Sequence, residues 1–225
     1  MLDLEKLQEE LFVLADYWEE RGDSRAKYAR ATVMKSVPIA KELTYSPAAK
    51  LLALATEEER IAFLLDEMAR ALVLVRCFGG HVRRRVDDAM EAVRFKLEHY
   101  PRERWDSCSI AYTGAHQAAV WAHNAAELKI HEDVYGQRPL AGSHICEQHM
   151  IHAAHFLLHA SRWNDVDSTV NGLEMTHIAI RQDAHELGCD SPSRADLYEA
   201  SVDRLMQILW GTSPVTKKGE SDDDD

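Results

Sequence analysis

The sequence lacks the features that identify many proteins by function. It has four widely spaced cysteines and no C-x-x-C pair, so a structural zinc site built on paired cysteines is not expected. No apolar run approaches the roughly 18–20 residues that cross a bilayer. The N-terminus, MLDLEKLQEE, is acidic and amphipathic rather than basic and then uniformly apolar, which is wrong for a signal peptide. These absences predict a cytoplasmic protein with reduced thiols and no membrane contact.

Recognisable catalytic motifs are also missing. The chain has no G-x-S-x-G nucleophile turn and no G-x-x-x-x-G-K-[ST] phosphate loop. His185-Glu186 is not followed by the second histidine of an H-E-x-x-H zinc motif. Cys146 lies three residues before His149, but the sequence shows no third group that would orient such a pair. The sequence therefore favours a non-catalytic protein.

The charge excludes a further class of function. The chain has 38 acidic and 26 basic residues, for a formal net charge of −12. An acidic surface repels phosphate backbones, so nucleic-acid binding is not expected, whereas a basic protein would be attracted. The one dense basic cluster, HVRRRV at 81–86, is followed at once by Asp87 and Asp88. It predicts a solvated helix start.

Helical periodicity fills the chain between its glycines and prolines, and no period-2 strand pattern stands out. Thr56 and Glu59 have the spacing of a capping box, and Gly211 is placed to end the last helix. We predict an all-α fold, a bundle of about seven or eight helices with an N-terminal helical hairpin docked on it. The predicted divisions are a hairpin at 1–35, a linker with a short helical turn at 36–55, the bundle at 56–211 and a disordered acidic tail at 212–225.

Two stretches resemble known families. Residues 11–30, LFVLADYWEERGDSRAKYAR, resemble the repeat-companion domain signature L-x-L-A-D-W-L-E-E-R-G-D-x-R-A-E-x-I-R. This resemblance covers about residues 4–33 and implies a helical hairpin but no chemistry, because that family has no established activity. Residues 56–211 are similar to Imm-5-like immunity proteins, in which an R-x-A-I-E-A-A-R-type helix precedes alanine-rich helices. The best match is at 82–94, and it implies a protein-interaction role.

Ten of the twelve histidines lie between His116 and His185. On a helix, four of them fall within an arc of about 120°: His149, His152, His155 and His159. Residues 148–161 include no charged side chain, so this helix is predicted to be the central one. Three interpretations are open. The histidines are hydrogen-bonded core residues, which we favour, or metal ligands, or a face that charges on mild acidification.

The metal interpretation names particular side chains. His155 and His159 stand one helical turn apart, as a helical divalent-metal site requires, and His152 or His116 would supply a third nitrogen. An E-x-x-H spacing, used twice in di-iron bundles, occurs once as a clear candidate. The candidate metal ligands are His116, His152, His155, His159, Glu174 and His177, and the metal would be a divalent transition metal such as zinc.

The leading hypothesis is a non-catalytic cytosolic interaction module, immunity-like or adaptor, that binds a protein partner and no cofactor. The alternative is a metal-binding helical bundle, including a metal-dependent enzyme, and a purely structural or oligomerising domain is a third option. An interaction protein should expose an apolar patch holding Trp105, Trp121 or Trp163. A metal protein should instead bring at least three His or Glu side chains to one point.

Overall fold

The computed structural model of the protein describes residues 4–34, 46–76, 79–99, 114–135 and 144–211. These residues form nine α-helices and no strand, which confirms the predicted all-α fold. No helix in this part of the chain is long and apolar enough to cross a bilayer. The predicted disordered tail and most of the predicted linker lie outside the described residues.

The helices follow one another with short connections where the structure describes them. Their bounds are α1 Leu4–Glu20, α2 Arg25–Met34, α3 Ser46–Leu54, α4 Glu57–Leu74, α5 Gly80–His99, α6 Gly114–Tyr135, α7 Ile145–Trp163, α8 Val166–Glu186 and α9 Arg194–Trp210. The sequence predicted only a short helical turn in this region, whereas α3 is a helix of 9 residues. The basic run at 81–86 lies in the first turns of α5, as predicted.

The described residues fold into two compact units. The first holds the residues up to Glu59 and those from Ala195 onward, and so contains α1 to α3 and nearly all of α9. The second, residues 60–194, contains most of α4 together with α5 to α8. The structure therefore groups α9 with the N-terminal helices, whereas the sequence analysis placed it in the bundle at 56–211.

The turn between α1 and α2 shows why glycine and aspartate follow one another at positions 22 and 23. Gly22 has a φ of 69°, in the left-handed region that favours glycine. The backbone N–H of Asp23 donates to the carbonyl of Trp18, which ends α1 in a Schellman-type motif. The Asp23 carboxylate then accepts from the Arg25 N–H at 2.9 Å and caps α2. Four residues, 21–24, thus end one helix and begin the next.

Contacts of α9 account for its place in the first unit. The Tyr198 hydroxyl accepts a hydrogen bond from the buried N–H of Ala48 at 2.9 Å. The ring of Trp210 lies 5.9 Å from that of Tyr17, centroid to centroid. These two contacts join α9 to α3 and to α1. They involve residues far apart in sequence, so no local pattern announces them.

The predicted capping box at the start of α4 is confirmed. The Glu59 N–H donates to the Thr56 hydroxyl at 3.2 Å, and the Thr56 N–H donates to the Glu59 carboxylate at 2.7 Å. The same carboxylate lies 2.9 Å from the Arg25 guanidinium. The cap of α4 is therefore also an ion-pair partner for α2.

In the second unit α7 is the central helix, as predicted, because it packs against α5, α6 and α8. Its largest buried side chains are Met150, Ile151, Leu157 and Leu158. Asn164, with a φ of 52°, ends α7, and the Asp165 side chain accepts from the N–H groups of Asp167 and Ser168 to cap α8. A two-residue link therefore folds α7 and α8 into an antiparallel pair.

Replacing Phe63 with Ala should lower the free energy of unfolding of the second unit by about 3–5 kcal/mol, because Phe63 is 1 % exposed and a cavity would remain. Urea unfolding followed by circular dichroism measures the loss. Val73→Ala is the control in the same helix, since Val73 is 80 % exposed and its truncation should cost less than about 0.5 kcal/mol. Equal losses in the two variants would contradict this description of the core.

Candidate functional site

The four α7 histidines lie half-buried along one side of the helix. The Nδ1 atom of His152 is 2.8 Å from the Gln148 carbonyl oxygen. The Nδ1 atom of His159 is 2.9 Å from the Ser168 hydroxyl on α8. These are the contacts expected of histidines with a structural role.

His155 lies among other rings. Its ring centroid is 5.6 Å from that of Tyr135 on α6 and 6.3 Å from that of His159. Burial lowers the pKa of His155, and positive charge on His159, His152 and His131 would lower it further, against the opposing effect of Glu127. The neutral imidazole is therefore favoured at this position.

The other predicted metal ligands that the structure describes each contact a different residue. Glu174 lies 3.3 Å from the Arg194 guanidinium. His177 is buried, with its Nε2 atom 3.8 Å from the carboxylate of Glu67, which is buried as well. Within the described ranges no group of three His, Cys, Asp or Glu side chains is placed to hold a metal ion. The side chain of His116 lies outside the described residues.

A serine, a histidine and a glutamate meet between α6 and α7, which the sequence analysis missed. The Nε2 atom of His123 lies 2.7 Å from the Ser161 hydroxyl. Its Nδ1 atom lies 4.0 Å from the Glu127 carboxylate. Serine hydrolases use the same order of groups. The His123–Glu127 spacing is visible in the sequence, but only the packing of α6 on α7 reveals Ser161 as the third member.

Burial and hydrogen bonding assign this group a structural role. Ser161 is 1 % exposed and His123 4 %, so a substrate cannot reach the hydroxyl. That hydroxyl donates to the Leu158 carbonyl at 3.0 Å, and its oxygen accepts from His123. Burial, aided by the charges of Lys96 and Arg162, lowers the pKa of His123 to about 4. Such an imidazole is a weak base at neutral pH.

Two cations extend the network to a third helix. Lys96 of α5 donates to the Ser161 carbonyl, and Arg162 of α7 pairs with Glu127 of α6. The polar groups thereby connect α5, α6 and α7. We call these residues the three-helix network: Lys96, His123, Glu127, Ser161 and Arg162. The three-helix network therefore restricts the rotation of α6 about its own axis.

A second polar cluster lies where α7 begins and α8 ends. The Nδ1 atom of His144 is 3.1 Å from a carboxylate oxygen of Glu186, and the buried sulfur of Cys146 is 3.9 Å from the same oxygen. A carboxylate beside a thiol disfavours the thiolate that a nucleophile requires. Cys146 thus lies beside an acidic group. The three-residue spacing between Cys146 and His149 does not by itself indicate an activated thiol.

One helix, α6, carries apolar side chains on two opposite faces. Its buried face is made by Ala119, His123, Ala126 and Ile130. Three large, mostly exposed residues lie on the other side: Trp121, 71 % exposed, Leu128, 68 %, and Tyr135, 62 %, whose ring also contacts His155 of α7. Trp121 and Leu128 each follow a buried alanine by two residues, a rotation of about 200°. We call these three residues the outer strip of α6.

The outer strip is unusual because of its register. Its members lie about 10 Å apart along the helix axis, and exposed Glu132 lies between Leu128 and Tyr135 on the same side of α6. Residues spaced by seven stay within about 40° over two heptads, and the strip is about 21 Å long. Trp163, named with Trp121 as a candidate for an exposed patch, is 64 % exposed, and Trp105 lies outside the described residues.

A groove of about 900 Å³ runs between α5 and α6 beside the outer strip. The two helices are antiparallel, because Asp88 contacts Lys129 at 3.6 Å while Arg85 contacts Asp133 at 3.4 Å. The apolar part of its lining consists of four alanines and one aromatic ring: Ala92, Ala122, Ala125, Ala126 and Phe95. Acidic side chains of α5 stand along its edge.

Comparisons of the chain with protein-family models, with curated proteins and with solved structures find no match. The resemblances to the repeat-companion and Imm-5-like families therefore rest on the residues quoted above and stay predictions.

Mild acid should destabilise the protein through His123. In the unfolded chain this imidazole titrates near 6.5 and in the folded protein near 4, so below about pH 6.5 the unfolded state binds a proton that the folded state does not. The free energy of unfolding should fall as the pH decreases from 6.5 to 4, by about 2–3 kcal/mol from this group. Urea unfolding at about pH 7 and pH 4.5 measures the difference.

The variant His123→Gln, which does not titrate, should show a pH dependence smaller by about that amount. His185→Gln is the matched control, because His185 is exposed on α8 and its removal should leave the pH dependence nearly unchanged. If the wild type and His123→Gln lose stability equally on acidification, His123 is not the buried neutral group described here.

Proposed function

We propose that the protein is a non-catalytic cytosolic interaction module that binds another protein through the outer strip of α6. The observation that carries the proposal is the heptad register of Trp121, Leu128 and Tyr135, all mostly exposed, on a helix already packed by its opposite face. Burying an apolar side chain of this size contributes about 1.5–3 kcal/mol. A partner that covers the strip therefore gains considerable hydrophobic free energy.

The type of residue in the outer strip also favours binding. Tryptophan and tyrosine are enriched among the few interface residues that dominate binding energy. Anchors spaced by one or two helical turns are the pattern read when a helix docks on a surface. An adaptor or immunity-like role, implied by the resemblance of residues 56–211, is consistent with a module whose activity resides in such a surface.

The polar clusters support a binding role over a catalytic one. The serine, histidine and glutamate of the three-helix network are arranged as in a hydrolase, yet the hydroxyl is enclosed and donates to the Leu158 carbonyl. The sulfur of Cys146 lies 3.9 Å from the carboxylate of Glu186, and a carboxylate does not stabilise a thiolate. In both clusters the reactive group is engaged in holding helices together.

The double variant Trp121→Ala with Leu128→Ala should bind the partner protein more weakly than the wild type does. A photo-crosslinking residue placed at 121 or at 128 in cells of the source organism identifies the bound protein, and calorimetry with the purified partner gives its affinity. We expect the double variant to weaken binding by about 30-fold or more, equivalent to about 2 kcal/mol.

Val73→Ala with Leu74→Ala is the control, since these two residues are also apolar and exposed but lie on α4. It should leave the affinity within about twofold. The proposal fails if position 121 crosslinks no protein beyond those captured from position 73, or if the partner binds the strip variant as well as the wild type. A crosslink to a second copy of the chain would instead indicate an oligomerising domain.

A second candidate function, divalent-metal binding, is favoured by the pair His155 and His159. Their rings lie on successive turns of α7 with centroids 6.3 Å apart. Burial favours the neutral form of His155, the form that coordinates metals. The pair supplies two nitrogen ligands, so water or another side chain, with His152 or His116 the predicted one, would have to complete the coordination sphere.

Elemental analysis of untagged protein purified without chelator tests this candidate. A metal site predicts near-stoichiometric zinc, nickel, iron or manganese that is lost in the His155→Ala, His159→Ala double variant. It predicts no loss when the exposed His81 and His185 are replaced instead. Protein that folds without metal, or metal that both double variants retain equally, eliminates the candidate.

A further inference from the structure

We propose that the groove between α5 and α6 binds a basic amphipathic helix supplied by the partner protein. This inference rests on the proposed function, because the outer strip of α6 forms one edge of the same surface. On α6, Ala125 lies one turn from Trp121 and is rotated from it by about 40° toward the groove. A helix in the groove would therefore also touch the strip.

The shape of the groove suits a helix. Its α5 side extends from Asp87 to Glu98, which is about 16 Å or three helical turns. Small side chains on the floor allow another backbone to approach to the 8–10 Å axis separation at which helices pack. The half-buried ring of Phe95 adds an apolar contact. These features favour an apolar stripe on the incoming helix.

The charge of the groove indicates which residues the flanks of the partner helix should carry. Two cations line it, Arg94 and Lys129, against four carboxylates: Asp87, Asp88, Glu91 and Glu98. Lys129 contacts Asp88, and Arg83 lies 3.9 Å from Asp87. Among the described side chains no ion pair involves Glu91 or Glu98, both of which are exposed. Lysine or arginine on the flanks of the partner helix would complement them.

The same charges disfavour other occupants. The C-terminal sequence SDDDD and any nucleic acid would bring negative charge to a negative groove. A second copy docked groove to groove would oppose its carboxylates to the same carboxylates. Within the chain, residues 100–113 have the composition to compete, since they include Arg102, Arg104 and Trp105. The experiment below therefore includes that segment.

The probe is a fluorescently labelled synthetic peptide of about 18 residues, with leucines at helical spacing and lysines on the flanks. A matched peptide carries glutamates in place of the lysines. Fluorescence anisotropy with the full-length protein should show the lysine peptide binding at least about tenfold more tightly than the glutamate peptide. Raising the salt from about 50 mM to about 500 mM should weaken the lysine peptide's binding, because exposed charges are screened.

The double reversal Glu91→Lys with Glu98→Lys should weaken binding of the lysine peptide by about tenfold or more. Glu9→Lys with Asp203→Lys is the matched control, because it makes the same change in net charge at exposed positions on α1 and α9. The control should stay within about threefold of the wild type. Equal weakening by the two double variants, or equal binding of the two peptides, overturns the proposal.

The segment at 100–113 is tested by Arg102→Glu with Arg104→Glu. If this variant binds the lysine peptide more than about tenfold more tightly than the wild type, the segment occupies the groove and the assignment to a partner helix is overturned. Unchanged or weaker binding supports the assignment. The reversals at Glu91, Glu98, Glu9 and Asp203 are at exposed positions. Circular dichroism checks that every variant keeps its helical content.

The inference and the proposed function fail separately. If the partner found by crosslinking is lost in the Trp121, Leu128 double variant but is insensitive to reversal of Glu91 and Glu98, the proposed function stands and the groove assignment is overturned. If no partner depends on the strip while the lysine peptide binds in a manner that depends on Glu91 and Glu98, the groove binds basic helices and the strip is not the interaction site.

Discussion

The hydrogen bond between His123 and Ser161 determines which face of α6 meets solvent. The rest of the buried face is mostly small, with Ala119 and Ala126 beside Ile130, so apolar packing alone gives limited discrimination between rotations of the helix. A buried imidazole left without a partner would be costly, and the 2.7 Å contact with Ser161 satisfies it in one orientation. In that orientation Trp121 and Leu128 point away from the buried face of α6, whereas Tyr135, at the end of the helix, lies beside His155 of α7.

Alanines lie on two sides of α6, the side that packs in the bundle and the side that faces the groove. On the bundle side Ala119 and Ala126 allow close packing, and on the α5 side Ala122 and Ala125 leave the groove open. Larger residues at the groove positions would fill it and convert the surface into a flat face. The proposed docking surface therefore combines a small-residue floor, an apolar edge and acidic neighbours on α5, and each of the three comes from a different set of positions in the sequence.

Local features of the fold were predictable from sequence, whereas contacts between helices were not. The capping box of Thr56 and Glu59 depends on residues three apart, so its spacing identified it. Glu174 and His177 are also three apart, yet one reaches Arg194 and the other Glu67, because the neighbouring helices differ on the two sides of α8. Trp121 and Trp163, two of the three tryptophans expected at an exposed patch, are exposed. The position of Leu128 relative to Trp121 and the contact of His123 with Ser161 depend on how α6 packs, which the sequence does not show.

Net charge connects the exposed apolar strip with the choice of partner. An apolar strip on a neutral protein would promote self-association, because a second copy presents the same surface. A formal charge of −12 opposes the approach of a second copy. The same field accelerates the approach of a basic partner, for which repulsion becomes attraction. In the proposed complex, long-range charge would favour a basic partner, and burial of Trp121 and Leu128 would hold it once it has docked.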